Sequence, residues 1–269
     1  MRPPIRERIV VFRYKPLDDA VYSGVLDSLS RFLKDHCSED EFKEETMNRP
    51  VVTLPLATIG DKEPDWSSLK VSVDRPSRFW SEDRAKCVQF FNDYLTFNLI
   101  TQQGRPVRSH EDLFDFFMKF LPFFEKHRKD LSITKAGIDY LNELEPDQLS
   151  PFTVNAGRTL EIARILRGPM LGQKIDGAMF TPPVIHKFSY APSETSSGSF
   201  PAVLSVEIVL PENKGNGWNM RVLFSASGGF PGFAQPGISR FLEQMHDAVR
   251  KGFLSTFTEE FTKPTGDEA

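Results

Sequence analysis

Cysteine is scarce in this sequence: the 269 residues include only Cys37 and Cys87. Small secreted proteins that depend on disulfides carry cysteine at a much higher density, and zinc or dithiol redox sites usually contain a Cys-x-x-Cys pair. Histidine offers no obvious metal site either, because no two of the five histidines are spaced as His-x-His or His-x-x-x-His. We therefore expect no disulfide framework, no metal centre and no cofactor.

Long apolar runs and an excess of basic residues are missing as well. No apolar stretch approaches about 18 residues, the length at which a helix can span a bilayer. Residues 1–14 are charged where a secretory signal would have an apolar core. The net charge of −4 and the isoelectric point near 5.8 disfavour a protein that coats nucleic acid. These absences predict a cytoplasmic protein that binds no membrane, and they make nucleic acid an unexpected partner.

Motifs of the common catalytic sites are also absent. The glycine-rich segment at 228–237 matches neither the phosphate-binding Gly-x-x-x-x-Gly-Lys-Ser/Thr motif nor the dinucleotide-binding Gly-x-Gly-x-x-Gly motif. The serines near it do not form the Gly-x-Ser-x-Gly turn of hydrolases. An enzyme built on this sequence would draw its catalytic residues from distant parts of the chain, and the candidates are His246, Asp247, Glu207 and Arg221.

Phenylalanine is the abundant residue, with 24 Phe against 5 Tyr and 3 Trp. Its side chain has a large apolar area and no polar atom, so it is usually buried. This composition predicts a phenylalanine-rich core or a phenylalanine-lined groove. Exposed aromatic patches often mark protein–protein interfaces, so any aromatic surface left outside the core would favour a protein partner.

Residue patterning predicts a β-α unit near the start of the chain. Residues 8–14 are rich in β-branched and aromatic side chains, which indicates a strand. Asp18 and Asp19 precede apolar residues with helical spacing, which predicts a helix that runs to about Asp35. Five strand-like segments follow up to residue 100, and the short turns between them favour antiparallel pairing.

A second set of elements begins at Ser109, which is placed to cap a helix whose apolar stripe is interrupted at Pro122. A strand is indicated at 131–141. Three more strands precede the last helix, with predicted spans of 184–190, 202–210 and 219–226. The last helix has seven apolar positions that should form its buried face: Ile238, Phe241, Leu242, Met245, Val249, Phe253 and Phe257.

Strands that form meanders, with helices set apart from them, are typical of an α+β fold rather than a doubly wound α/β fold. We therefore predict antiparallel meander sheets with segregated amphipathic helices. The order of these elements is also compatible with two structurally related halves. The predicted divisions are an N-terminal α+β half at 1–145, an irregular connection at 146–183 and a C-terminal β-β-β-α half at 184–263. One compact domain is the alternative.

Arginines are concentrated in the irregular connection, at Arg158, Arg164 and Arg167. Such a group can contact nucleic-acid phosphates or an acidic protein surface. No aromatic residues alternate with these arginines, so base stacking is not indicated.

Three blocks of the sequence resemble, in the same order, a sporadically distributed family of uncharacterised bacterial proteins of about this length. The blocks are Arg78-Phe79-x-Ser81-Glu82-Asp83 with Val88-Gln89 and Leu95-x-Phe97-Asn98, then Gly137-Ile138-Asp139-Tyr140-Leu141-Asn142, then His246-Asp247 with Phe253 and Thr258-Glu259. The resemblance covers residues 8–262. It departs from the family pattern at Asp139, where the family favours arginine. Genes of this family often lie near mobile elements or defence genes, so the resemblance implies a component of a multi-gene cassette.

These observations favour a non-enzymatic interaction or regulatory component of a bacterial defence or toxin–antitoxin-like cassette. Its expected partner is a protein encoded nearby or a second copy of the chain. Two alternatives stay open: an enzyme with dispersed site residues, and a nucleic-acid-binding accessory protein that uses the arginines of the irregular connection.

Overall fold

The computed structural model describes most of the chain. The described residues are 5–46, 49–53, 70–74, 76–102, 109–157, 159–167, 175–176, 185–190, 202–213, 217–234 and 237–262. In chain order the strands are β1 (Ile5–Arg13), β2 (Lys43–Thr46), β3 (Arg49–Thr53), β4 (Lys70–Asp74), β5 (Ser77–Trp80), β6 (Lys86–Phe90), β7 (Tyr94–Ile100), β8 (Lys135–Leu144), β9 (Thr153–Val154), β10 (Thr159–Leu160), β11 (Ile175–Asp176), β12 (Ile185–Tyr190), β13 (Ala202–Asn213) and β14 (Trp218–Gly229). The α-helices are α1 (Asp19–His36), α2 (His110–Met118), α3 (Leu121–Lys126), α4 (Pro146–Leu149), α5 (Gly237–Thr256) and α6 (Glu259–Thr262).

Nine of these strands form one antiparallel sheet in the order β12-β13-β14-β8-β1-β7-β6-β5-β2. The order repeats a pattern. In the first half of the chain, β1 pairs with the last strand of the β5-β6-β7 meander; in the second half, β8 pairs with the last strand of the β12-β13-β14 meander. The two halves meet where β1 pairs with β8. The predicted α+β class with antiparallel meanders is confirmed, and the described sheet runs through both halves.

Helix ends follow the signals in the sequence. The Asp18 side chain accepts a hydrogen bond from the Val21 amide at 2.9 Å and caps α1. Ser109 and Asp112 form a reciprocal capping box at the start of α2. The next helix, α3, begins with Pro122 in its first turn, where the missing amide costs no helical hydrogen bond. The proline therefore separates α2 from α3, as predicted.

One face of the sheet carries the helices and a phenylalanine-rich core. Phe97 of β7 lies near its centre, with ring centroids 4.6 Å from Phe120 and 5.5 Å from Phe117. Phe12 of β1 stacks on Phe117 at 5.1 Å. Among the described residues, the exposed large apolar side chains are Val203 and Leu254, and neither is aromatic. The prediction of a phenylalanine-rich core is confirmed, whereas the described surface has no exposed phenylalanine patch.

Six of the seven predicted positions are buried: five lie on α5, and Phe257 lies directly after its last residue. The exception is Phe253, which is only partly buried, so its predicted full burial is wrong. Gly252 takes the position that faces the sheet, because a Cβ there would stand 2.8 Å from Leu204 Cδ2. Phe253 is turned to one side, where it contacts Phe224 and Phe257.

Gly137 allows a close approach of two central strands, β8 and β14. A Cβ at this position of β8 would lie 2.5 Å from the Ala226 carbonyl oxygen of β14. A side chain would force these strands apart, because real Cβ atoms do not approach so closely. The glycine of the second resemblance block therefore has a structural role.

The different burial of two phenylalanines on α5 leads to a prediction. Phe241→Ala removes a fully buried ring and should lower the free energy of unfolding by about 3–5 kcal/mol. Phe253→Ala should cost clearly less, because that ring is partly in contact with solvent. Urea denaturation of both variants measures the difference, and equal losses would contradict this description of the helix.

Candidate functional site

Polar side chains converge at the junction of the two halves, on the face of the sheet that the helices cover. β1 contributes Arg8, β8 contributes Tyr140, α2 contributes His110 and α5 contributes His246. Arg8 stands directly opposite Tyr140 in the ladder, so these side chains share a face. Each half of the fold thus supplies one strand and the helix that follows its meander.

Arg8 occupies an apolar position of β1, since it alternates with the fully buried Val10 and Phe12. It is only 7% exposed, and its guanidinium carbon lies 5.6 Å from the centre of the Tyr140 ring. Burial lowers the pKa of Arg8, yet a guanidinium remains charged in proteins. Arg8 therefore places a positive charge in the interior beside the aromatic face of Tyr140.

Three buried polar atoms within the described residues have no hydrogen-bond partner: Arg8 Nη1, Thr101 Oγ1 and Asn142 Oδ1. They belong to adjacent segments. Arg8 lies opposite Leu99, and Thr101, two residues after Leu99, points to the same face of the sheet. Asn142 lies two residues after Tyr140 on β8 and therefore shares the face of Tyr140. All three side chains therefore lie on the helix-covered face at one end of the sheet. A buried polar atom without a partner costs about 1–3 kcal/mol, so three together call for a functional explanation.

Two stacked imidazoles cover this region. The rings of His110 and His246 are 3.8 Å apart and nearly parallel, and Nδ1 of His246 lies 2.7 Å from the Tyr140 hydroxyl oxygen. Burial, with the nearby His110, lowers the pKa of His246 to about 4, although Asp247 and Glu111 act in the opposite direction. Burial also raises the pKa of Tyr140, which keeps its phenol protonated. The phenol can therefore donate to the neutral imidazole of His246 at pH 7.

The carboxylates at the start of α2 attract Arg8 without reaching it. Asp112 Oδ2 accepts from the Ser109 amide at 2.7 Å, and Glu111 Oε1 lies 3.1 Å from His110 Nε2. Both carboxylates raise the pKa of Arg8 through space. No carboxylate of the described residues forms an ion pair with Arg8, but the Tyr140 side chain is hydrogen-bonded to it and also raises its pKa.

The four predicted catalytic candidates are not brought together. His246 lies in the site, and Asp247 follows it on an exposed position of α5. Arg221 and Glu207 belong to the opposite face of the sheet, because they alternate with buried, helix-facing residues of β14 and β13. Arg221 forms an ion pair with Glu143 at 3.1 Å.

Two of the three predicted nucleic-acid-binding arginines are engaged with acidic residues. Arg164 Nε donates to Glu260 at 2.9 Å, and Arg164 also pairs with Glu161. Arg167 lies 3.6 Å from Glu259 and donates to a backbone carbonyl. Arg158 lies outside the described residues.

Neither cysteine has the properties of a reactive nucleophile. Both thiols are free and buried, and burial raises the pKa of Cys37 to about 11 and that of Cys87 to about 12. Reactive cysteines have a pKa near or below neutrality. Within the described part of the chain, no group of three His, Cys, Asp or Glu side chains is suited to hold a metal ion, and no helix is long and apolar enough to cross a membrane.

Sequence reasoning found only part of this site. It selected His246 and placed the cap of α2 at Ser109, which the capping box confirms. It missed Arg8 and Asn142, which stand where the strand pattern calls for apolar side chains. A charged residue in the apolar register of a central strand was the available signal.

The low pKa of His246 predicts how stability depends on pH. Between about pH 6.5, the ordinary value for histidine, and about pH 4, the unfolded chain binds a proton at His246 that the folded chain does not. This residue should therefore make the protein less stable as the pH falls through that window. His246→Gln should flatten the pH dependence of the urea midpoint, whereas His36→Gln, at an exposed position of α1, should not. Identical profiles for wild type and His246→Gln would contradict this environment.

No protein-family model matches the sequence, and no curated protein matches it significantly.

Proposed function

We propose that this protein is a non-enzymatic regulatory component that binds a small ligand between its central strands and helices α2 and α5. One observation carries the proposal: the three unpartnered buried polar atoms of the described residues lie on the same face of the sheet, near the junction of the halves. A ligand that pairs with them would remove a cost that the fold otherwise bears.

The pKa values of the groups around the site support binding rather than catalysis. A general base works best when its pKa is near the operating pH, and that of His246 is about 4. The phenol of Tyr140 is held protonated by burial, which raises its pKa. His246 and Tyr140 can therefore donate, accept and orient, but neither is an effective general base at pH 7.

The position of the site supports a regulatory role. α2 and α5 come from different halves and touch through His110 and His246. A ligand held by Arg8 beneath this contact would have a different affinity for conformations that differ in the packing of the two helices. Such differential affinity is the requirement for a ligand to shift a conformational equilibrium.

The protein would act together with the products of neighbouring genes. The resemblance to a family encoded near defence genes supports a cytoplasmic component of a bacterial antiviral-defence or toxin–antitoxin-like cassette. Its partner would be a protein encoded nearby or a second copy of the chain. Arg164 and Arg167 already form ion pairs with acidic residues, so their charges are less available for phosphate contacts. This favours a protein over nucleic acid as the partner.

Equilibrium dialysis against a small-molecule extract of the host cell tests this proposal. Wild type should retain at least one compound, which mass spectrometry should find chemically unchanged after long incubation. Arg8→Met should lose that compound, because it lacks the buried donor. Arg221→Met is the matched control, since it removes an arginine from the opposite face, and it should retain the compound. Conversion of the compound would indicate an enzyme, and retention of nothing by wild type would refute the binding function.

A further inference from the structure

The unpartnered atoms also restrict the chemistry of the ligand, an inference that rests on the proposed binding function. The first restriction comes from charge. Arg8 is only 7% exposed to solvent, and its guanidinium stays protonated. It has no ion-pair partner among the described residues. An unpaired buried charge is unfavourable, and a negatively charged ligand group relieves it most directly. The ligand should therefore carry an anionic group at Arg8.

The number of free donors restricts the anion. Arg8 Nη1 and the Thr101 hydroxyl are the unpartnered groups that can donate. Arg8 Nη1 can donate to one oxygen of a carboxylate in a charge-assisted hydrogen bond, and the Thr101 hydroxyl can donate to the other. A phosphate has more oxygen atoms than these two donor groups can satisfy with hydrogen bonds. A carboxylate fits this set of donors better.

The remaining atom calls for a donor on the ligand. Asn142 is 1% exposed; its amide nitrogen donates to the Val222 carbonyl at 3.4 Å, which leaves Oδ1 as an unpartnered acceptor. An acceptor in this position would repel a bare carboxylate. It would instead accept from an O–H or N–H group attached next to the carboxylate.

We propose that the site binds a small carboxylic acid with a hydrogen-bond donor on the neighbouring carbon, as in 2-hydroxy and 2-amino acids. Arg8 and Thr101 hold the carboxylate, and Asn142 accepts from the hydroxyl or amino group. The apolar neighbours on the same face, Leu99 and Val222, are buried and favour a short side chain on the ligand.

Four probes of similar size test this assignment by the shift in melting temperature and by isothermal titration: 2-hydroxypropanoate, propanoate, 2-hydroxypropanamide and inorganic phosphate. Wild type should bind 2-hydroxypropanoate most tightly. Propanoate, which lacks the donor, should bind on the order of tenfold more weakly, the value of one hydrogen bond. The neutral amide and phosphate should bind more weakly still.

Two near-isosteric variants separate the roles of the individual atoms. In Asn142→Leu, 2-hydroxypropanoate should lose its advantage and bind no better than propanoate. In Thr101→Val, the affinities for 2-hydroxypropanoate and for propanoate should fall by a similar factor, so that the ratio of the two affinities is unchanged. Far-ultraviolet circular dichroism establishes that each variant is folded, and Arg221→Met should bind as wild type does.

The other outcomes overturn the assignment in distinguishable ways. Tightest binding of phosphate or of the amide would refute the carboxylate assignment and leave the binding function intact. A ratio of hydroxy acid to simple acid that is unchanged in Asn142→Leu would refute the role of that residue. If no probe binds but a compound from the host extract is retained through Arg8, only the ligand class is wrong. If neither binds, the proposed function fails as well.

Discussion

The pairing of β1 with β8 is the contact on which the rest of the structure depends. It joins the two half-sheets into one nine-stranded sheet, and it brings together strands that are far apart in the chain. Because both strands are central, their helix-covered faces are inaccessible to water along most of their length. The same register sets Arg8 opposite Tyr140 and places the helices that follow the two meanders side by side.

The interior has two chemically different parts. Around Phe97 and Phe12 it consists of packed rings with no polar atom, which is a stable arrangement that needs no specific partner. At the end of the sheet, Arg8, Thr101 and Asn142 replace apolar side chains and leave polar atoms unpartnered. The aromatic core provides stability that can offset this local cost. Local costs of this kind are typically found at functional sites.

The sequence predicted local features better than distant ones. The capping residues Asp18 and Ser109, the strands and the apolar stripe of α5 depend on spacing within one element, so they could be read directly. The site could not, because it depends on pairings between residues such as Arg8 and Tyr140 that are far apart in sequence. His246 was selected for its residue type alone, and its neighbours became apparent only once the sheet order was known.

The unliganded stability of Arg8→Met tests the central claim most directly. If Arg8 is kept for ligand binding, replacing its unpaired buried charge with an apolar side chain of similar length should leave the free energy of unfolding unchanged or raise it. If Arg8 instead forms part of a buried network that holds the two halves together, the same change should cost about 3–5 kcal/mol. Urea denaturation of the purified protein without ligand distinguishes the two. No loss of stability is the result predicted here, and a loss of that size would contradict the assignment of this site.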